Sequence, residues 1–183
     1  MSEVTIYYHT LNLGNRDWTL WATDKGLIRL SFGREQELAA SWLKTYAPLH
    51  RYQEAPEVFE QIGITREMEN YFAGVPVTFT GVPLDVWGTP FQREVWTGLS
   101  TIPHGEVITY RELAGRIGRP LAMRAVGTAN GQNPLPLILP CHRVIGTNGT
   151  LTGYRGGLKL KQELLSLEGI THVGDKGHER FAF

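Results

Sequence analysis

The second half of this chain begins with the stretch Gly88-Thr89-Pro90-Phe91-Gln92-Arg93-Glu94-Val95-Trp96. A threonine before a proline, with a glutamine three residues after the threonine, is typical of a capping box. In such a box two side chains bind the exposed backbone N–H groups at a helix start. The stretch therefore predicts a helix that begins at Pro90. Its predicted buried side chains are Phe91, Val95, Trp96 and Leu99.

A second capping box, Thr109-Tyr110-Arg111-Glu112, predicts another helix, which stops at Gly118-Arg119-Pro120. A third helix is predicted from Leu121 to about Asn130. Two short helices joined by a tight turn indicate a helix-turn-helix unit, in which Arg124 would stand among small residues that allow close approach to a nucleic acid groove. The pattern alone also leaves open a plain helical hairpin, whose small residues serve helix packing.

The residues before Gly88 predict a small sheet with helices packed on it. Three runs of β-branched and aromatic residues, separated by turn residues, indicate an antiparallel meander. The runs are Thr5 to His9, Trp18 to Thr23 and Leu27 to Phe32. Helices are predicted over Glu35 to Tyr46 and within Pro56 to Phe72. The tryptophans of this half could line a ligand site, but aromatic residues at such spacings are more often core.

Residues 75–88 are rich in proline and glycine and predict a boundary between one domain over residues 1–87 and a second over residues 88–169. Leu158 to Glu168 predicts a last helix with an apolar face of leucines, which Gly169 ends. The polar residues 170–183 are expected to form a tail without an assigned role. We see no catalytic constellation before residue 88.

The composition is typical of an ordinary globular protein, with 42% hydrophobic and 20% charged residues among 183. No apolar run reaches the roughly 18 residues that a membrane helix needs, and Met1-Ser2-Glu3-Val4 lacks the regions of a signal peptide. We therefore expect a cytoplasmic protein with no membrane contact. Nothing in the sequence indicates an oligomer, so we expect a monomer with no obligate protein partner.

Charge is distributed unevenly along the chain. Residues 1–88 carry 7 Lys and Arg against 11 Asp and Glu, a net of −4, whereas residues 89–165 carry 9 against 4, a net of +5. This asymmetry favours a polyanionic partner for the second half, although a surplus of this size is also compatible with an ordinary solvated surface.

The one cysteine of the chain lies in Ile138-Leu139-Pro140-Cys141-His142-Arg143-Val144-Ile145-Gly146. With an ordinary pKa near 8.5, a thiol is only about a few per cent thiolate at neutral pH, so a nucleophilic cysteine needs a base or a cation beside it. Side chains of consecutive residues diverge, and a lone cysteine is often a small buried apolar residue. Both interpretations of Cys141 stay open on this stretch alone. A single cysteine excludes a multi-cysteine zinc site, and the six histidines are scattered singly, so we expect no metal.

Together these stretches resemble the methylated-DNA–protein-cysteine methyltransferases, also called O6-alkylguanine-DNA alkyltransferases. The matching segments are Gly88 to Trp96, Gly105 to Tyr110, Arg124 to Gly127, Asn133-Pro134, Pro140 to Gly146, and Gly153-Tyr154 with Gly156-Gly157. The resemblance is strong over residues 88–169 and extends to residues 1–87 only by size and coarse layout. It implies an α+β protein: a ribonuclease H-like domain with a small antiparallel sheet, then a mostly helical domain with a helix-turn-helix.

The resemblance implies a chemistry in which Cys141 accepts the alkyl group from O6 of guanine, and also from O4 of thymine, in one irreversible displacement. His142 would deprotonate the thiol through a water molecule, and Glu168 would hydrogen-bond the other imidazole nitrogen. The sequence alone does not connect Glu168 with Cys141. No cofactor is implied.

The resemblance also implies roles in binding double-stranded DNA through its minor groove, with the damaged base flipped out. Arg124 would occupy the vacated stack, and Tyr110 would help rotate the nucleotide and donate to the purine. Asn133 would be the hinge between the recognition helix and the active-site segment. The base pocket would be completed by a wall from Tyr154 and by backbone groups of Cys141, Val144 and Arg155.

Two positions depart from the family pattern. Arg155 replaces a residue that is often small in relatives, and Met123 replaces a small residue on the helix that faces the groove. Two other functions are compatible with parts of the pattern. A lesion-binding protein of the alkyltransferase-like type would flip the base without accepting the alkyl group, but such relatives lack the reactive cysteine. A cysteine hydrolase would turn over and would not need Arg124.

Overall fold

The strands of the first half follow directly from its alternating β-branched and aromatic residues. A computed structural model of the chain describes residues 4–33 and 35–174, with the side chains of residues 35–38 outside that description. The chain divides into two compact units, Met1–Trp87 and Gly88–Phe183. No helix within the described residues is long and apolar enough to cross a membrane.

The first unit is built on a four-stranded sheet. Strands β1 (Val4–Leu13), β2 (Arg16–Thr23) and β3 (Gly26–Phe32) form the predicted antiparallel meander. A fourth strand, β4 (His50–Glu54), pairs in parallel with β1 and makes the sheet mixed, in the order β3-β2-β1-β4. The sequence did not predict β4 because its residues are mostly polar and exposed at the sheet edge, so no apolar alternation marks it.

Three helices, α1 (Glu35–Tyr46), α2 (Pro56–Gln61) and α3 (Ile64–Phe72), complete this unit. The single helix expected within Pro56 to Phe72 is wrong: it is interrupted at Gly63, whose φ of 80° is incompatible with a continuing helix. The tryptophans of β2 are buried in the core, Trp21 in a cluster with Ile6 and Ile28. Their placement agrees with a packing role.

The second unit contains helices α4 (Pro90–Leu99), α5 (Tyr110–Arg116), α6 (Met123–Gly131) and α7 (Gly157–Leu167). Both predicted capping boxes are confirmed, with Thr89 and Gln92 at the start of α4 and Thr109 and Glu112 at the start of α5. At Gly98 an added Cβ would lie 2.7 Å from the Ile117 side chain, so this glycine allows α4 and α5 to approach closely.

A short parallel pairing brings distant parts of this unit together. Strand β5 (Ile108–Thr109) immediately precedes α5, and strand β6 (Val144–Ile145) immediately follows the cysteine segment. The ladder therefore holds the first turn of α5 beside Cys141, although some thirty residues separate them in sequence. Tyr110 and Cys141 belong to one site for this reason.

The apolar segment before the cysteine is buried, as expected, but it is a turn and not the extended segment that its prolines suggested. The Leu139 N–H donates to the Leu135 carbonyl at 2.8 Å, and Leu137 has a φ of 72°. The amide of Asn133 holds this turn from both sides. Its Nδ2 donates to the Leu139 carbonyl at 2.6 Å, and its Oδ1 accepts from the Leu135 N–H at 2.9 Å.

The last described residues lie within the second unit and contact its core. Ile170 is buried in a cluster with Ile145, Leu151 and Leu165, and the Leu151 N–H donates to the Gly174 carbonyl at 3.3 Å. Ile170 and Val173, which the sequence assigned to a tail, therefore pack against this cluster, whereas Thr171, His172 and Gly174 are exposed. The rest of the expected tail, residues 175–183, lies outside the described residues.

Candidate active site

Cys141 begins a single 3-10 turn, Cys141–Arg143, directly after Pro140. The Pro140 carbonyl accepts the Arg143 N–H at 3.0 Å, which closes the turn. With three residues per turn, consecutive side chains lie about 120° apart, so Cys141 and His142 point into different surroundings. The thiol is only 5% exposed and lies in the interior of the second unit.

His142, Arg143 and Glu168 form a buried network of charged groups. The Nε2 of His142 lies 2.6 Å from Oε1 of Glu168. Arg143 donates to both carboxylate oxygens, from Nε to Oε2 at 2.8 Å and from Nη2 to Oε1 at 3.0 Å. The Gly105 N–H also donates to Oε2, at 3.1 Å. Arg143 reaches further, to the Ile102 carbonyl, at 2.6 Å. Glu168 is thus a carboxylate with four donors around it, not an exposed residue at a helix end.

This network sets the charge of its members. Burial by itself raises the pKa of Glu168, but the hydrogen bonds and charges of His142 and Arg143 outweigh it and hold that pKa well below its usual range. Burial lowers the pKa of His142, against the opposing effect of the Glu168 carboxylate. The resting state at neutral pH is therefore an ionised Glu168 with a neutral His142. Because the Nε2–H of this neutral imidazole donates to Glu168, Nδ1 is the nitrogen that can take up a proton.

The Cys141 side chain is protonated at rest. Burial raises the pKa of its thiol, and this effect outweighs the Asn133 hydrogen bond and the positive charges of Arg155 and Lys161, which lower it. Such a thiol does not ionise by itself at neutral pH, so its reaction requires removal of the proton by a base. The cations around the sulfur then favour the thiolate once it forms.

Tyr110 occupies the first helical position of α5 and lies beside α6. The Asn130 amide donates to its hydroxyl at 3.4 Å, and the position of an added Cβ at Gly127 is 3.8 Å from its ring. Burial raises the pKa of Tyr110 to about 12. The hydroxyl is therefore protonated at physiological pH and can donate a hydrogen bond.

The donors at this site do not form a metal centre. Among the described residues no group of three or more His, Cys, Asp and Glu side chains is placed to hold a metal ion. Glu168 and His142 bind each other, and Glu168 is further bound by Arg143. The arrangement is suited to activating a thiol.

Two models of known protein families match this chain. The model described as 6-O-methylguanine DNA methyltransferase, DNA binding domain, matches residues 90–170. The model described as 6-O-methylguanine DNA methyltransferase, ribonuclease-like domain, matches residues 6–86. The chain belongs to the 6-O-methylguanine DNA methyltransferase family. The resemblance found in the sequence motifs is confirmed, and so is the α+β fold with a ribonuclease-like first part.

Similar individual proteins are named methylated-DNA–protein-cysteine methyltransferases. The methylated-DNA–protein-cysteine methyltransferase of Shigella flexneri is 53% identical over 107 residues, which are 58% of this chain and 63% of that protein. The aligned part thus spans less than two thirds of that relative. The methylated-DNA–protein-cysteine methyltransferase of Mycolicibacterium paratuberculosis is 50% identical over 146 residues, which cover 78% of this chain and 86% of that protein.

Solved structures of the family have the same fold. The O6-methylguanine methyltransferase of Mycobacterium tuberculosis superposes with a TM-score of 0.74 at 39% identity, covering 89% of this chain and 92% of that one. Mycobacterium tuberculosis OGT in complex with DNA superposes with a TM-score of 0.72 at 37% identity, covering 89% and 93%.

The structure brings most of the residues expected from the family resemblance into one place. Cys141, His142 and Glu168 lie in the buried site with Asn133 and Tyr110. The remaining residues of the predicted base pocket are Val144, which is buried after the 3-10 turn, Tyr154, which is buried, and Arg155, whose charge acts on Cys141. Arg124 is different, because it lies exposed on α6. The catalytic and binding roles of these residues stay predictions.

Sequence reasoning missed two members of the site. The family motif includes Arg143 but implies no role for it, yet Arg143 bridges Glu168 and the Ile102 carbonyl. Lys161 lies outside the matching motifs. It is 0% exposed on α7, and its Nζ donates to the Val144 carbonyl at 2.6 Å and to the Thr152 carbonyl at 2.8 Å.

A signal for Lys161 was present in the sequence. It lies four residues before Leu165 and three before Leu164, on the apolar face of the last helix, where an ordinary surface lysine does not belong. Burial lowers the pKa of Lys161 to about 8. A lysine inside an apolar helix face is thus the pattern that would have predicted a buried cation, although not its position near Cys141.

Proposed function

We propose that this protein repairs DNA by transferring the alkyl group from O6 of guanine to the Sγ of Cys141. The observation that carries the proposal is the buried His142–Glu168 hydrogen bond of 2.6 Å, made by the residue that follows the chain's one cysteine in sequence. A neutral imidazole held by an ionised carboxylate is the arrangement that activates a weak nucleophile.

The proposed reaction is a single displacement. The Sγ–carbon bond forms as the carbon–O6 bond breaks, and the guanine leaves with its normal O6 carbonyl. The thiol proton passes to His142 through a water molecule. Loss of the alkyl group leaves a negative charge on the guanine, which is neutralised when one proton binds at N1. Since a thioether is not hydrolysed under these conditions, each chain reacts once and is consumed.

The surrounding groups support each stage of this displacement. Glu168 stabilises the imidazolium that forms when His142 takes the proton. The Lys161 ammonium and Arg155 stabilise the sulfur while it is negative. Tyr110 keeps its proton because its pKa is about 12, so it can donate to the purine as electrons move onto the ring.

We propose that double-stranded DNA containing an alkylated base is the substrate, bound at its minor groove. Because O6 of guanine is enclosed in the stacked duplex, the base must be rotated out before a buried thiol can reach it, at a cost of about a few kcal/mol. The exposure of Arg124 on α6 supports its proposed role of filling the vacated position, and a relative of the same fold has been solved in complex with DNA. O4-alkylthymine offers the same kind of alkyl–oxygen bond and is proposed as a further substrate.

Intact mass spectrometry tests the proposal directly. The purified protein is incubated with a duplex that carries one O6-methylguanine, and its mass is then recorded. We expect a gain of one methyl group per chain, which peptide mapping places on Cys141. The matched control, Cys141→Ala, should gain no mass while it still binds the duplex. An unchanged mass with tight duplex binding would instead support the lesion-binding alternative.

A further inference from the structure

Strand β4 forms an open edge of the four-stranded sheet in the first unit. It is the last strand on its side, and among the described residues no further strand lies beyond it. His50 is half-buried and the other residues of β4, 51–54, are exposed. Natural proteins usually protect such an edge with proline, lysine, a bulge or a covering segment, because its backbone groups can pair with another chain. The sequence His50–Glu54 and its regular pairing with β1 contain no proline, lysine or bulge.

The opposite edge of the same sheet is covered. All residues of β3 are buried. The Leu27 N–H donates to the Pro83 carbonyl at 2.9 Å, and the Leu27 carbonyl accepts the Asp85 N–H at 2.8 Å. The segment around Leu84 therefore lies along β3 and pairs with it. The fold thus protects one edge of the sheet and leaves the other exposed to solvent.

The hydrogen bonds to β1 determine which backbone groups of β4 face this open edge. Just before β4, the Leu49 carbonyl accepts the Val4 N–H at 3.0 Å, and just after it the Ala55 N–H donates to the Tyr8 carbonyl at 3.1 Å. Alternate residues of a paired strand direct their N–H and C=O groups to opposite sides. Every second residue of β4 therefore directs both groups outward, away from β1. These residues are His50, Tyr52 and Glu54.

We propose that β4 pairs with β4 of a second copy of this chain, antiparallel and about a two-fold axis at Tyr52, so that the two sheets become one continuous sheet. In this register Tyr52 lies opposite Tyr52 of the second copy, and the two exchange backbone hydrogen bonds in both directions. At either end His50 lies opposite Glu54 of the other copy and does the same. Each outward-directed N–H and C=O group of β4 then has a partner.

The side chains of β4 fit this register. Tyr52 is 45% exposed, although its ring contacts Trp21 of the core with the centroids 5.9 Å apart. Opposite each other, two such rings remove apolar surface from water and make an aromatic cross-strand pair. The same register places the imidazole of His50 opposite the carboxylate of Glu54.

Other positions of the two-fold axis fit less well. An axis at Arg51 places two guanidinium groups opposite each other, and an axis at Glu54 places two carboxylates opposite each other; like charges in such pairs are destabilising. An axis at Gln53 leaves the outward groups of His50 without a partner. The charge pattern and the direction of the backbone therefore favour the axis at Tyr52.

The size of this surface predicts a weak dimer. Five residues bury much less than the roughly 800 Å² per partner of a stable complex, so the pairing is transient and depends on concentration. Leu49, which directly precedes β4 and is 53% exposed, adds apolar surface beside it. The sequence indicated no oligomer because the polar residues of β4 show no apolar alternation.

Sedimentation velocity of the full-length protein without DNA tests the association, from about 10 μM to about 1 mM, where weak interfaces associate. The wild-type protein is compared with Tyr52→Lys and with the matched control Val75→Lys, since Val75 is 47% exposed in the same unit and lies outside β4. We expect the wild-type mass to rise toward that of a dimer. Tyr52→Lys should weaken association at least about tenfold, because two ammonium groups replace the aromatic pair. Val75→Lys should behave as wild type, and equal thermal midpoints exclude misfolding.

Disulfide formation tests the register. Tyr52→Cys and the control Glu54→Cys are each made in a Cys141→Ala background and oxidised. In the proposed pairing the two Cα atoms at position 52 lie about 5.5 Å apart, within the roughly 4.4–6.8 Å that a disulfide spans. The two Cα atoms at position 54 lie more than about 13 Å apart. We therefore expect a covalent dimer from Tyr52→Cys and little from Glu54→Cys.

A wild-type protein that stays monomeric at the highest concentration would overturn the inference, and so would association that Tyr52→Lys leaves unchanged. Equal yields of covalent dimer from the two cysteine variants would indicate random collision and contradict the register. Both experiments are made without DNA, so their outcome is independent of the proposed function. A protein that accepts no methyl group could still form this dimer.

Discussion

The second unit contains two Arg–Glu pairs that are chemically alike and physically different. Arg143 and Glu168 are buried, with an N–O distance of 2.8 Å, and share their contacts with His142. Arg119 and Glu94 lie at the surface, with an N–O distance of 3.3 Å and side chains that are 54% and 43% exposed. Water screens the surface pair, whereas the buried pair has only its own members to satisfy its charges.

An Arg–Glu pair therefore has different consequences at the surface and in the interior. The surface pair links α4 to the turn after α5 and can break without leaving a charge unsolvated. If either member of the buried pair is removed, the other remains in the interior as an incompletely paired charge. A carboxylate that must stay ionised beside His142 therefore needs Arg143, and the site depends on this arginine although it is not itself proposed to touch the alkyl group.

The largest effect is expected when Arg143 of the buried pair is replaced. Arg143→Met keeps much of the side-chain volume but leaves Glu168 with two donors fewer. We expect the free energy of unfolding to fall by about 3–5 kcal/mol, because an incompletely paired buried charge remains. Urea denaturation monitored by tryptophan fluorescence measures this change. A loss below about 1 kcal/mol would mean that the buried pair is no different from the surface pair.

Lys161 is a buried cation of a different kind, because its Nζ binds two backbone carbonyls. Its pKa is lowered from 10.5 to about 8, so the folded protein releases this proton earlier than the unfolded chain does. Between pH 8 and 10.5 the unfolded chain binds more protons, and stability due to this group rises with pH, by up to about 3 kcal/mol.

The measurement is best made in a Cys141→Ala background. The raised pKa of the Cys141 thiol acts in the opposite sense, because the folded protein retains a proton that the unfolded chain loses above about pH 8.5. In Cys141→Ala, urea midpoints should rise from pH 8 to pH 9.5. The rise should disappear when Lys161→Met is added. A flat profile in Cys141→Ala alone would show that Lys161 titrates normally.

Arg124 tests the exposed surface of α6 against the buried site. Arg124→Ala should slow alkyl transfer from duplex DNA about tenfold, since its proposed task is to stabilise the extruded state. Transfer from free O6-benzylguanine should be unchanged, because that substrate needs no extrusion. Single-turnover rates with the two substrates provide the measurement. Equal slowing of both reactions would contradict the assignment.

The smallest effect is expected at the surface pair. Arg119→Met, the matched counterpart of Arg143→Met, should change the free energy of unfolding by less than about 1 kcal/mol, because an exposed ion pair contributes little. The same urea titrations measure it. A loss as large as that of Arg143→Met would remove burial as the cause of the difference between the pairs.

Local patterns carried the sequence-based predictions that are confirmed. The capping boxes at Thr89 and Thr109 involve residues three apart, so the helix starts could be located from the sequence alone. The three-stranded meander follows in the same way from alternation and turns. Strand β4 and the turn over residues 135–139 could not be predicted. The strand depends on pairing with residues 46 positions earlier in the chain, and the turn depends on the Asn133 side chain.

The candidate site could likewise be predicted only in part from the sequence. The motif around Cys141 indicated a nucleophile, and the family resemblance supplied Glu168 as a partner for His142. Nothing local predicted that Arg143 would close on Glu168, or that Lys161 would place a cation near the sulfur. Arg143 joins the 3-10 turn to the residue that caps α7, and Lys161 joins the middle of α7 to Val144 in β6; both contacts form only when these elements pack together.

The sequence by itself determined which residue can be the nucleophile, where the helices of the second unit begin, and which family the chain belongs to. These depend on residue identity and short-range spacing. The protonation states of Cys141, His142 and Glu168 follow only from the tertiary structure, because a pKa depends on burial and on charges brought together from distant segments. It also decided that Lys161 is buried, since burial is a property of the folded structure and not of the residue.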